Sequence, residues 1–168
     1  MGRKDDFFQT LEALTPTLRR YARALFAGAG LAAADDLVQT ALQLVASQIR
    51  AKQFRPRDAN AARLRAYEVL TDLAGRKLRE GAATRPSPRY PAIVHGLAEL
   101  PHDERATLLL VALEGLAYDD AARILGVTRE VTLARLMRAR AVLAGLDLRP
   151  TALLEGTRRA TGHLRVVK

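Results

Sequence analysis

Tyr118 to Leu136 read YDDAARILGVTREVTLARL, and this stretch decides the fold. Ala121, Ala122 and Leu125 lead along a short helical segment to Gly126, and a second segment follows at once with Thr128 placed to cap it. Small alanines permit close helix crossing. A glycine in the turn takes a backbone conformation that other residues resist. Two helices joined in this way form a helix-turn-helix, whose second helix fits the major groove of DNA and presents its first turns to base edges. Ordinary packed helical hairpins share the local pattern, so the surrounding sequence has to decide between them.

Downstream, Thr132, Leu136, Ala139 and Leu143 form a stripe that should pack inward. The opposite face carries Val131, Ala134, Arg135 and Arg138, and its arginines suit phosphate or guanine contact. Upstream, Pro101 starts a helix over residues 102–114 that holds the apolar run Leu108 to Leu113. Ile93, Val94, Leu97 and Leu100 precede it. Residues 80–91, EGAATRPSPRYP, have three prolines and no apolar periodicity, which marks a linker. Before the linker the spacing is again helical. Phe7, Leu11, Leu14, Leu18, Tyr21 and Leu25 mark one face, with Pro16 opening a second helix behind a Thr15 cap, and Gly28-Ala29-Gly30 ends the element. Leu37, Val38, Ala41, Leu42, Val45 and Ile49 mark the next helix, with Asp35 and Asp36 in its first turn. Asp58 caps a third, whose buried stripe is Leu64, Tyr67, Leu70, Ala74 and Leu78.

The expected fold is all-α. It has two small helical domains, residues 1–80 and 93–148, joined by a flexible linker over 81–92 and followed by a basic tail over 149–168. Lys plus Arg number 27 against 18 Asp plus Glu, a net charge of +9 that fits a polyanionic partner. There is no cysteine, so thiolate metal sites and disulfides are excluded. His95, His102 and His163 are scattered without carboxylates at ligand spacing, and no glycine-rich phosphate loop follows a strand. No catalytic residue, metal or cofactor is expected. No apolar run is long enough to span a bilayer and the N-terminus has no signal-peptide core, so a cytoplasmic protein without membrane insertion is expected. Asp119 and Asp120 read as capping residues rather than as an acid–base pair.

The longer text GLAELPHDERATLLLVALEGLAYDDAARILGVTREVTLARLMRARAVL resembles region four of bacterial sigma factors. The matching residues are Leu100, Pro101, Arg105, Leu108, Leu110, Gly115, Tyr118, Ala122, Leu125, Gly126, Val127, Arg135, Leu136, Arg138, Ala139 and Arg140. The text LRRYARALFAGAGLAAADDLVQTAL resembles region two, most clearly over Ala34 to Gln39. Two matches in family order across a linker make the chain similar to the compact extracytoplasmic-function (ECF) subfamily of sigma-70 type factors, which has regions two and four alone.

That resemblance implies a factor that joins core RNA polymerase and directs initiation at particular promoters, held in check by an anti-sigma factor and with no small-molecule substrate. It implies that Asp35, Asp36, Leu37 and Gln39 meet core polymerase. Arg63, Arg65, Arg76, Lys77 and Arg79 would meet the minus-ten strand. Thr128, Arg129, Thr132, Arg135, Arg138 and Arg140 would meet the minus-thirty-five element. The sequence departs from the family where it enters the last helix. Val131, Leu133 and Ala134 stand at positions that are usually polar, and Glu130 adds a negative charge that phosphate would repel unless it reads a cytosine. No tryptophan is present, although the family usually has one in the third helix. A second expectation therefore stands beside the first: a sigma-like decoy or adaptor that occupies an anti-sigma factor without reading a promoter. A plain helix-turn-helix regulator that dimerises on a palindrome is a third. In an inhibited form the two halves would clamp face to face, with the linker as hinge.

Overall fold

The computed structural model describes residues 3–82 and 85–145, which form helices and connections with no strand among them. The basic tail expected from residue 149 onward lies outside the described residues. Helices α1 (Arg3–Ala13), α2 (Thr15–Leu25), α3 (Leu31–Arg50) and α4 (Ala59–Lys77) make the first half. Helices α5 (Ala92–Glu99), α6 (His102–Leu108), α7 (Tyr118–Leu125) and α8 (Arg129–Ala144) make the second. Both α4 and α6 run on into a π-helical turn, Leu78–Ala82 and Leu109–Leu113.

Local chemistry sets the boundaries. Asp58 is extended (φ −150°, ψ 177°) and accepts from the Ala61 amide at 2.7 Å, so it caps α4 as the sequence predicts. Thr15 is already helical. Leu14 occupies the cap position of α2 without a side-chain hydrogen bond, and Pro16 sits in the first turn, where its missing N–H costs nothing. Asp35 and Asp36 fall one turn later than expected, because α3 begins at Leu31 behind a left-handed Gly30. Asp119 and Asp120 lie inside the first turn of α7 but do not cap it. Ala117 holds that position without a side-chain bond.

The two halves share one core. Leu18, Tyr21, Leu25, Val38, Val45, Tyr67 and Leu70 from α2, α3 and α4 cluster with Leu109, Leu110, Leu116, Ala121 and Ile124 from beyond the linker. Burying each of the large aliphatic side chains contributes about 2 kcal/mol. A smaller cluster of Leu100, Leu108, Leu136 and Ala139 ties α8 to α6. Tyr21 and Tyr67 meet edge to face at 5.3 Å. The Thr71 hydroxyl donates to the Tyr67 carbonyl at 2.7 Å, so its single proton is used and the buried Tyr21 hydroxyl donates to it at 2.9 Å.

Arg105 binds the helix ends across the halves. Its guanidinium is buried and donates to Leu25 O at 2.6 Å, Leu100 O at 2.8 Å and Ala98 O at 3.0 Å. These carbonyls lie at the ends of α2 and α5, where the last C=O groups have no N–H donor from their own helix. Burial lowers the Arg105 pKa from its ordinary value. Arg105→Ala leaves these acceptors without donors and should cost about 3 kcal/mol of unfolding free energy in a denaturant titration. Arg105→Lys, which lacks the fork, should recover only a minor part of that stability.

Candidate nucleic-acid interface

The turn between α7 and α8 has the geometry its sequence requires. Gly126 ends α7 in the left-handed region (φ 63°), and the Thr128 hydroxyl accepts from the Val131 amide at 3.4 Å as the N-cap of α8. Leu136 and Ala139 pack inward and Leu143 is half-buried, as the helical stripe predicts. Thr132 is fully buried and donates to the Thr128 carbonyl at 3.0 Å, so it belongs to the inward stripe and offers nothing to the outer face.

Arg129, Arg135 and Arg138 are already partnered. Arg129 donates to both carboxylate oxygens of Asp119 at 3.1 Å and lies over the Tyr118 ring at 5.7 Å. Arg135 reaches Asp103 at 2.6 Å, and Arg138 reaches Glu104 at 2.7 Å. Both acids stand in the first turn of α6, where the helix dipole also favours them. Arg140 is exposed. Glu130 projects from the first turn of α8, and a backbone hydrogen bond at its own position, with one from Thr128, lowers its pKa. Val131 and Met137 are exposed on the same helix, Met137 at 71%.

On the first half, Arg65 pairs with Glu68 at 2.8 Å and donates to Gln48 at 3.2 Å, and Lys77 lies 3.9 Å from Glu80. Arg63 points toward the second half. It lies 5.8 Å from the Tyr67 ring and 3.5 Å from the Glu114 carbonyl. Arg76 and Arg79 line a cleft of about 220 Å³ with His102, Asp103 and Arg135, so the fold brings cations of both predicted DNA surfaces to one place. Asp35, half-buried on α3, receives both arms of Arg23 at 3.0 and 2.6 Å, and these hydrogen bonds lower its pKa. Asp36 and Gln39 are exposed and Leu37 is half-buried on the same helix.

A second cluster has no local signature in the sequence. The Glu114 carboxylate is buried, with 1% of its side chain exposed, and faces the first half. Tyr67 donates its hydroxyl to Glu114 Oε2 at 2.6 Å. Arg20 donates Nε and Nη2 to Oε1 at 3.2 and 3.1 Å, and Nη2 also reaches Oε2 at 3.1 Å. Burial, together with hydrogen bonding to this carboxylate, raises the Tyr67 pKa well beyond the ordinary phenol range. The sequence does show an acid directly before Gly115, but its partners lie 94 and 47 residues away and no local pattern announces them.

Residues 92–143 match the family model "Sigma-70, region 4". The chain is 28% identical over 158 residues to the ECF RNA polymerase sigma factor EcfG of Rhodopseudomonas palustris (strain TIE-1), covering 84% of this chain and 85% of that protein. Its fold is similar to that of the sigma factor RpoE solved with the anti-sigma factor NepR from Bartonella quintana. That likeness has a TM-score of 0.66 and 24% identity, over 82% of this chain and 94% of the other. The PhyRSL–NepR complex from Sphingomonas sp. Fr1 is similar at TM-score 0.59 and 24% identity, over 81% and 85%. The anti-anti-sigma factor PhyR complexed with NepR from Bartonella quintana is similar at TM-score 0.57 and 20% identity, over 81% and 48%.

His102 makes this region pH-sensitive. Burial lowers its pKa, reinforced by Arg105 and Arg79 and opposed by Asp103 and a backbone hydrogen bond at Thr71. The folded state thus takes up this proton less readily than the unfolded chain. Stability is full above about pH 6.5 and falls as pH drops through that value. The melting temperature should decline between about pH 7.5 and pH 5.5, and His102→Gln should flatten that part of the profile.

Proposed function

We propose, for a chain that resembles the ECF sigma factors over most of its length, that it joins core RNA polymerase and directs transcription from particular promoters. The match of residues 92–143 to sigma-70 region 4 carries this reading, because the region-two-like text precedes it in family order. In this reading the face of α3 around Asp35, Asp36, Leu37 and Gln39 meets polymerase. Helix α4 and the turn after it, with Arg63, Arg65, Arg76, Lys77 and Arg79, meet the minus-ten strand. Thr128, Arg129, Arg135, Arg138 and Arg140 meet the minus-thirty-five duplex. Residues 1–80 and 93–148 act as the two working units, the segment 81–92 joins them, and the cytoplasm is the site of action. A small anti-sigma factor is the natural antagonist, by analogy with the NepR-bound neighbours.

A second reading has its own support. Arg135 and Arg138 are engaged by Asp103 and Glu104, and apolar Val131 and Met137 are exposed on α8. These features suit an adaptor that binds a protein helix in place of DNA. The two readings part in solution. The first expects core polymerase to be retained on the immobilised protein and duplex binding to weaken steeply with salt. Arg135→Ala with Arg138→Ala should reduce the salt slope by up to about 2 units, at roughly 0.9 for each phosphate no longer neutralised. Failure to retain core polymerase would remove the first reading. Duplex affinity indifferent to both arginines would favour the adaptor.

A further inference from the structure

The Glu114 cluster has the chemistry of an anion site whose occupant is part of the chain. Arg20 supplies a fork, Tyr67 a hydroxyl and an aromatic ring, and Arg63 a second guanidinium nearby. All belong to the first half, and the carboxylate they receive belongs to the second. Such a fork and hydroxyl suit a phosphodiester oxygen as well as a carboxylate oxygen. Arg63 is also one of the residues expected to meet the minus-ten strand.

The closed arrangement cannot persist on a promoter. A minus-ten and a minus-thirty-five element lie about 25 base pairs apart, or about 85 Å at 3.4 Å per step. A compact chain of this size has a radius of gyration of about 15 Å. The halves must therefore separate before both elements are engaged. Separation withdraws Glu114 from Arg20 and Tyr67 and leaves the site empty on the face expected to bind the minus-ten strand.

We infer that Glu114 is an internal phosphate mimic. Its carboxylate fills a phosphodiester site made by Arg20 and Tyr67, with the Arg63 guanidinium beside it on the Glu114 backbone carbonyl, and a backbone phosphate of single-stranded DNA takes that site when the halves part. This inference rests on the sigma-factor reading and deepens it, because it names a contact and a switch. In the closed form the Arg20 charge is paired with the carboxylate and the Tyr67 hydroxyl is covered by the other half, while the Arg20 side chain stays half-exposed. In the open form the same residues are uncovered together.

The test compares variants that break one ion pair from opposite sides, using the full chain and a fluorescent single-stranded oligonucleotide. Glu114→Gln should raise affinity for the oligonucleotide about tenfold and enlarge the radius of gyration in small-angle scattering. Arg20→Ala should enlarge the radius as well, yet leave affinity at or below that of the unaltered chain. Arg20→Ala added to Glu114→Gln should cancel the gain and lower the salt slope by about 0.7, the value for one phosphate on a single strand. Glu12→Gln, an equal charge change on the exposed surface of α1, should leave affinity within about twofold. Glu114→Asp, which withdraws the carboxylate by one methylene and disturbs folding least, should give a smaller gain in the same direction. Glu114→Gln with unchanged affinity would overturn the inference. So would a gain that survives Arg20→Ala, or one that Glu12→Gln matches. Retention of core polymerase, measured in parallel, reports on the sigma-factor reading alone. Its failure would leave the anion site to be judged by the oligonucleotide results.

Discussion

A carboxylate removed from water must find donors or be strongly destabilising, and among the described residues Glu114 finds its side-chain donors, Arg20 and Tyr67, on the other half of the chain. This constraint orders much of the structure. It fixes how the turn after α6 meets α2 and α4, and the apolar residues around it follow. Leu109, Leu110 and Leu116 enter the same core as Tyr21 and Tyr67. Arg105 closes a neighbouring edge by donating to Leu25 O. Polar contacts set the orientation of the two halves, and apolar burial supplies most of the free energy.

Helix α8 obeys a related economy of charge. Arg135 and Arg138 carry the positive charge expected to meet DNA, but each rests on an acid from the first turn of α6. Exposed pairs of this kind contribute at most about 1 kcal/mol, so a dense row of phosphates can compete for the arginines. Glu130 and the exposed apolar Val131 and Met137 stand on the same helix. The family pattern and the departure from it occupy the same helix, which is why two readings of the function start from it.

Much of this was legible in the sequence, because helices announce themselves locally. Leu64, Tyr67, Leu70 and Ala74 fall on one face, Asp58 and Thr128 cap their helices, and Gly126 turns the chain. Thr15, Asp119 and Asp120 did not become caps, since neighbouring residues took the cap position. Residues expected at the DNA surface were legible as types but not as states. Thr132 is buried, and Arg63 is turned toward the other half. The Glu114 cluster was invisible for a physical reason. Its members are far apart in sequence, and a lone acid before a glycine has no periodicity to mark it. Arg105 did stand in the region-four pattern, but its role at two helix ends depends on where α2 stops, which that pattern does not encode.

In the inference drawn above, the chain rests as one closed body and opens when it engages both elements of a promoter with polymerase. The absence of cysteine permits a direct measurement. Gln43→Cys on α3 and Ala141→Cys on α8 place one spin label on each half, and their separation can be read with the protein free and with core polymerase and promoter DNA added. The free chain should give a single short distance, and the polymerase-bound chain a distribution several tens of ångströms longer. A short distance in both states, or a long one in the free chain, would contradict a closed body that opens.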